Sequence, residues 1–138
     1  MTLFADQSRE ELRAAYRTAW RRRLEGLPLA PLDAQLASLI ELHPEYQPLL
    51  LGDTDLAQEF GASNPFLHMG LHMALREQIG TDRPAGIAGV HRQLAARLGD
   101  AHEAEHRMID VLAQTLGEAQ RSGGVPQEEL YLERLRRL

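Results

Sequence analysis

Asn64-Pro65-Phe66-Leu67-His68-Met69-Gly70-Leu71-His72-Met73-Ala74-Leu75-Arg76-Glu77-Gln78-Ile79-Gly80 is the stretch on which the fold turns. An asparagine able to cap stands before a proline suited to the first helical position, no further proline follows, and Gly80 supplies a stop. The segment therefore predicts a helix over residues 65–79. His68 and His72 are four residues apart, so at about 100° per residue their rings diverge by about 40° and stand one turn apart. Leu75 and Ile79 fall within about 20° of His68 on the same wheel. The helix is thus expected to carry two imidazoles on its apolar face.

The rest of the chain agrees with a helical fold. Leu (24) and Ala (18) dominate the apolar residues, whereas Val (3), Ile (4) and Thr (5) are scarce. Helices favour the first pair and strands the second group. A length of 138 residues, 43% of them hydrophobic and 25% charged, is the size and balance of one folded domain with a real core. The expectation is an all-α, single-domain bundle of about five to six helices covering residues 1–138.

Working outward, a first helix is expected over residues 7–25, because Ser8 and Glu11 form a capping-box pattern and Leu12, Tyr16, Ala19 and Trp20 recur at helical spacing. A second follows Pro31, with Leu32, Leu36, Leu39, Ile40 and His43 on one side, and Pro44 stops it. Residues 45–63 read as a long loop with one short helical turn. Asp82 and Pro84 start a fourth helix through Ile87, Val90, His91 and Leu94, closed by Gly99. Asp100 and Glu103 start a fifth that runs to about Arg121, and a short last helix spans residues 126–138.

Four of the six histidines make two copies of one pattern, His68-x-x-x-His72 and His102-x-x-x-His106. Taking His102 as zero, Ile109, Ala113 and Leu116 lie within about 40°, so the second pair is also expected to point inward. His43, His68, His72, His102 and His106, from three helices, would then face the core, where neutral imidazoles are costly to bury without partners. A single core-facing histidine is ordinarily a hydrogen-bonded core residue, and His91 is read that way. Five together point to a metal ion.

Carboxylates near these rings narrow the choice of metal. Glu105 lies at about −60° from His102 and Asp110 at about 80°, one on each flank. Glu45 could fold back beside His43, with Tyr46 as a supporting donor. Glu77 falls about 180° from His68 and is better suited to a salt bridge. A nitrogen-rich set with few carboxylates suits non-haem iron, mono- or dinuclear, manganese or zinc, and lacks the oxygen cage of calcium. Iron with open positions would bind oxygen, peroxide or nitric oxide, for redox chemistry or sensing.

Other classes are excluded or left without support. All 15 basic residues are arginine and there is no cysteine, which removes lysine Schiff-base chemistry, thiolate catalysis, disulfides and Cys-based metal sites. No Gly-x-Ser-x-Gly turn, no Cys-x-x-Cys-His attachment and no glycine-rich phosphate loop occurs, so no nucleotide cofactor is expected. Arg21-Arg22-Arg23 and Arg134, Arg136 and Arg137 are short clusters in a chain of net charge −5 with 5% aromatics, and read as solvated faces rather than a nucleic-acid interface. No stretch approaches the roughly 20 apolar residues of a membrane span, and no charged segment leads into an apolar run at the start. A cytoplasmic protein is expected. The rival from another class is a helical interaction protein, homodimeric, whose histidines form a hydrogen-bond network with Glu45, Glu105 and Tyr16.

His43-Pro44-Glu45-Tyr46, the Asn64 to Gln78 segment, Asp82-x-Pro84-x-Gly86-Ile87, His102-x-x-x-His106 and Ala119-Gln120-Arg121, in that order, resemble the bacterial domain-of-unknown-function family 1841. The resemblance spans nearly the whole chain, with Gln114 and Gly117 where the family tends to have Glu and Trp. It implies no activity. In architecture the paired histidines are similar to hemerythrin and DinB-like bundles, which hold metal with His-x-x-x-His pairs on neighbouring helices.

Overall fold

Proline, glycine and aspartate set the helix ends in this chain. The computed structural model describes residues 2–51 and 65–138, and every regular element among them is helical. Six helices of two turns or more occur there: α1 (Thr2–Leu24), α2 (Pro31–Glu41), α3 (Pro65–Thr81), α4 (Ile87–Leu98), α5 (Ala101–Ser122) and α6 (Glu128–Arg136). A 3-10 turn at Pro44–Tyr46 and one helical turn at Gln47–Leu50 follow α2. The fold class is all-α. The expected cap Asn64 and loop residues 52–63 lie outside the described residues.

The described residues fall into two compact units, residues 1–69 and residues 70–138. In the first, α1 starts at Thr2 rather than near the expected Ser8 cap. No proline or glycine precedes Ser8, so nothing stops the helix from continuing backward. Tyr16, Ala19 and Trp20 on its inner face are buried, as are Leu36, Ala37, Leu39 and Ile40 of α2. Pro31 occupies the first turn of α2, where its missing N–H costs nothing. Phe66 meets Tyr16 edge-on at 5.6 Å and carries the Arg13 guanidinium on its face at 5.2 Å.

The arginine run at the end of α1 is less idle than its sequence suggests. Arg21 is exposed, but Arg22 donates through Nη2 to the Pro28 carbonyl at 2.9 Å and Arg23 pairs with Glu41 at 2.6 Å. The two side chains tie the end of α1 to the loop before α2 and to the last turn of α2. Arg23 stays exposed, as expected of a solvated cluster, and Arg22 alone is half-buried.

The second unit has its own core of Leu75, Ile87, Leu94, Ala104, Met108, Ile109, Leu112, Tyr131 and Leu135, drawn from α3, α4, α5 and α6. Asp82 caps α4 from a distance, its Oδ1 accepting from the Gly86 and Ala88 amides at 3.1 and 3.0 Å. The turn from α4 into α5 is tight. Gly99 sits at φ +70, a left-handed conformation that favours glycine, and Asp100 accepts from the His102 and Glu103 amides at 2.9 and 3.2 Å. α6 is held by Tyr131, whose hydroxyl donates to Gln78 Oε1 at 2.8 Å, and by Arg134, which reaches Glu118 at 2.8 Å.

Candidate metal centre

In the second unit, α3 contributes His72 and Arg76, and the first turns of α5 contribute His102, Glu105 and His106. Of the two imidazoles expected on the apolar face of this helix, His72 is buried and His68 half-buried. His72 has no solvent exposure and neither has Leu75, one turn further on. On α5 the buried positions are Ala104, Glu105, Met108, Ile109, Leu112 and Thr115, while Ala113 and Leu116 are exposed. The core stripe therefore runs to the Glu105 side of the histidine pair. His102 and His106 stand at its edge, half-buried rather than pointing to the centre as expected.

The three rings are close. His72 and His102 lie parallel with centroids 5.1 Å apart, His72 and His106 are 4.9 Å apart, and His102 and His106 are 4.2 Å apart. Donor atoms of His72, His102 and Glu105 all lie within 4.8 Å of one another, so this group could hold a metal ion. Glu105 Oε2 is 3.4 Å from His72 Nδ1 and 3.8 Å from His102 Nδ1. From the other side Arg76 grips the same carboxylate, Nε to Oε1 at 2.9 Å and Nη2 to Oε2 at 3.3 Å. Burial alone would raise the Glu105 pKa, but hydrogen bonding to His72 and Arg76 and their charge outweigh it and hold the carboxyl at about 2.

The first unit holds the other two expected ligands. His43 is buried at the end of α2, its Nδ1 2.7 Å from the Leu39 carbonyl. A carbonyl only accepts, so Nδ1 carries the proton and the Nε2 lone pair is left to face His68 Nε2 at 3.1 Å. Tyr46, expected as a supporting donor, stacks on the His43 ring with centroids 5.2 Å apart. Its pKa is raised by burial and then by the nearby Glu45 charge.

Several carboxylates stand elsewhere than the sequence allowed. Glu45 is exposed in the 3-10 turn, where Pro44 carries the chain outward, and does not fold in beside His43. Asp110 is exposed because the buried stripe of α5 lies on the opposite flank, and Glu77 is exposed as its position on the wheel required. His91 is half-buried on α4, with Nε2 shielded and making no hydrogen bond among the described residues. Arg76 was missed in the sequence. It lies four residues after His72 on the same helix, and that spacing from a ligand candidate was the available signal.

Among the described residues no helix is long and apolar enough to cross a membrane. Comparison with curated proteins and with solved structures finds no match in either set. The model of the family described as Domain of unknown function (DUF1841) matches residues 8–137, nearly the full length, and the chain belongs to that family.

Proposed function

We propose that the chain is a metal-binding helical bundle in which imidazole nitrogens of His72, His102 and His106 take a non-haem iron or zinc ion, with the Glu105 carboxylate alongside. The observation that carries this reading is the gathering of three rings from two helices within 5.1 Å of one another, around a fully buried His72. A fully buried ring packed against two half-buried ones beside a buried carboxylate is costly unless a cation or a complete set of hydrogen bonds compensates it. His43 and His68 enter as further ligands on the sequence pattern of five core-facing histidines. His43 supports this by its Nδ1–H bond to Leu39, the arrangement that prepares an imidazole to ligate through Nε2.

A histidine-rich set with one nearby carboxylate suits iron with open positions, and then oxygen, peroxide or nitric oxide are the small ligands it would take, for redox chemistry or for sensing. With zinc the role is structural or hydrolytic. The second reading, an interaction protein with a histidine–glutamate network and no metal, is favoured by one observation: Arg76 already neutralises Glu105. Metal content of protein purified without a histidine tag separates the two. Stoichiometric transition metal in the parent, lost from His72→Ala and His106→Ala while both stay helical, supports the metal centre. A parent that takes up no iron or zinc at micromolar concentrations leaves the network reading. Metal loss from His43→Ala and His68→Ala supports the five-ligand set, and full retention removes those two from it.

A further inference from the structure

Between α4 and α6, within the second unit, lies a cavity of about 320 Å³, lined by Gly86, Val90, Gln93 and Arg97 on one side and by Leu135 and Arg136 on the other. Among the described residues no carboxylate lines it, although the chain carries 20 acidic residues against 15 basic ones. Elsewhere in this unit Arg76, Arg107, Arg134 and Arg137 each pair with a carboxylate. Arg97 and Arg136 make no ion pair and no hydrogen bond among the described residues. Acidic groups close by are engaged elsewhere. Asp82 accepts from the Gly86 and Ala88 amides, and Glu133 holds Arg137 at 2.6 Å.

Gly86 admits one of the two guanidiniums. It stands at φ +105, and a Cβ there would lie 3.2 Å from Arg136 Nη2, so the bare Cα leaves the room that Arg136 occupies. Each arginine also stands in the last turn of its helix, where the free carbonyls favour positive charge. That accounts for either one alone and not for their meeting on one cavity. Two like charges facing the same space repel, and an anion between them replaces repulsion by attraction.

The arrangement also selects among anions. Guanidiniums brought from two helices suit a tetrahedral dianion, whose oxygens point several ways, whereas a planar carboxylate is satisfied by the fork of a single arginine. The volume exceeds that of a bare phosphate and falls at the small end of ligand pockets, which start at about 300 Å³. Val90 and Leu135 give the remaining space an apolar wall.

We propose that the cavity between α4 and α6 is an anion site for a small phosphate monoester, held by its oxyanion between Arg97 and Arg136 with its organic part against Val90 and Leu135. This site is independent of the metal reading.

The test follows backbone amides of 15N-labelled full-length chain during titration with phenyl phosphate, inorganic phosphate or benzoate at constant ionic strength. Saturable shifts at Gly86, Gly89 and Val90 are expected with phenyl phosphate, with weaker binding of the other two. Both arginines are exposed, so Arg97→Gln and Arg136→Gln should stay folded by circular dichroism. Each should weaken phenyl phosphate binding about 5-fold, the upper end for an exposed ion pair. Arg121→Gln, which does not line the cavity, should bind as the parent does. Shifts that never saturate, or an equal loss in Arg121→Gln, overturn the site. Unchanged affinity in both Arg97→Gln and Arg136→Gln does the same. Benzoate bound as tightly as phenyl phosphate overturns the choice of a phosphate, and inorganic phosphate bound as tightly overturns the role given to the apolar wall.

Discussion

At Glu105 burial and pairing pull in opposite directions, and pairing wins, holding the carboxyl at about 2 against an ordinary 4.5. A folded-state value below the unfolded one means that the ionised carboxylate favours the folded chain, so its contribution is complete above pH 4.5 and is lost as pH falls towards 2. In metal-free protein the urea midpoint should fall across that window. Glu105→Gln should show a flatter acid limb, with parent and variant converging near the low end. Removing the partner instead, as in Arg76→Leu, leaves the carboxylate buried without its counter-charge and should destabilise the chain by roughly 3 kcal/mol, the low end for a broken buried pair. Denaturant melts at neutral pH check this. The sequence made His72 legible because Leu75 and Ile79 share its face. It did not make the edge position of His102 and His106 legible, because α5 offers apolar residues on two arcs. Which arc is covered depends on α4 and α6, whose packing no local spacing reveals.

Helix ends were the best-read feature at the scale of the element, since their causes are local. Pro31, Gly99 and Asp100 each stand where their chemistry requires. The exception is α1, where a cap-like Ser8 sits inside a helix that nothing upstream interrupts. Asp100→Ala should cost about 1 kcal/mol, because two amides at the start of α5 lose their acceptor. The loss should appear in thermal melts and be localised to residues 101–105 by hydrogen exchange. Tyr131→Phe removes the bond to Gln78 that fastens α6 to α3 and should cost a similar amount, about 1 kcal/mol, with little change in helix content by circular dichroism.

For the whole molecule, a composition rich in Leu and Ala and poor in β-branched residues was sufficient to read the all-α class, because it reflects propensity summed over every segment. Long-range pairings such as Arg76 with Glu105 or Tyr131 with Gln78 carry no such local trace and become visible only in three dimensions. If the chain holds an ion, the folded state alone binds it, and stripping the metal should lower stability by about 2.7 kcal/mol when free ion had stood at 100 times its dissociation constant. Melting curves with and without chelator measure this. The complete burial of His72 also bears on time rather than energy. If His72 holds an ion, a ring that solvent does not touch trades it only while some part of the wall is open. The first turn of α5, which carries His102 and hangs on the Asp100 carboxylate, is the part whose fraying would open it. Chelator-driven loss should then level off at a rate independent of chelator concentration, and Asp100→Ala should raise that ceiling.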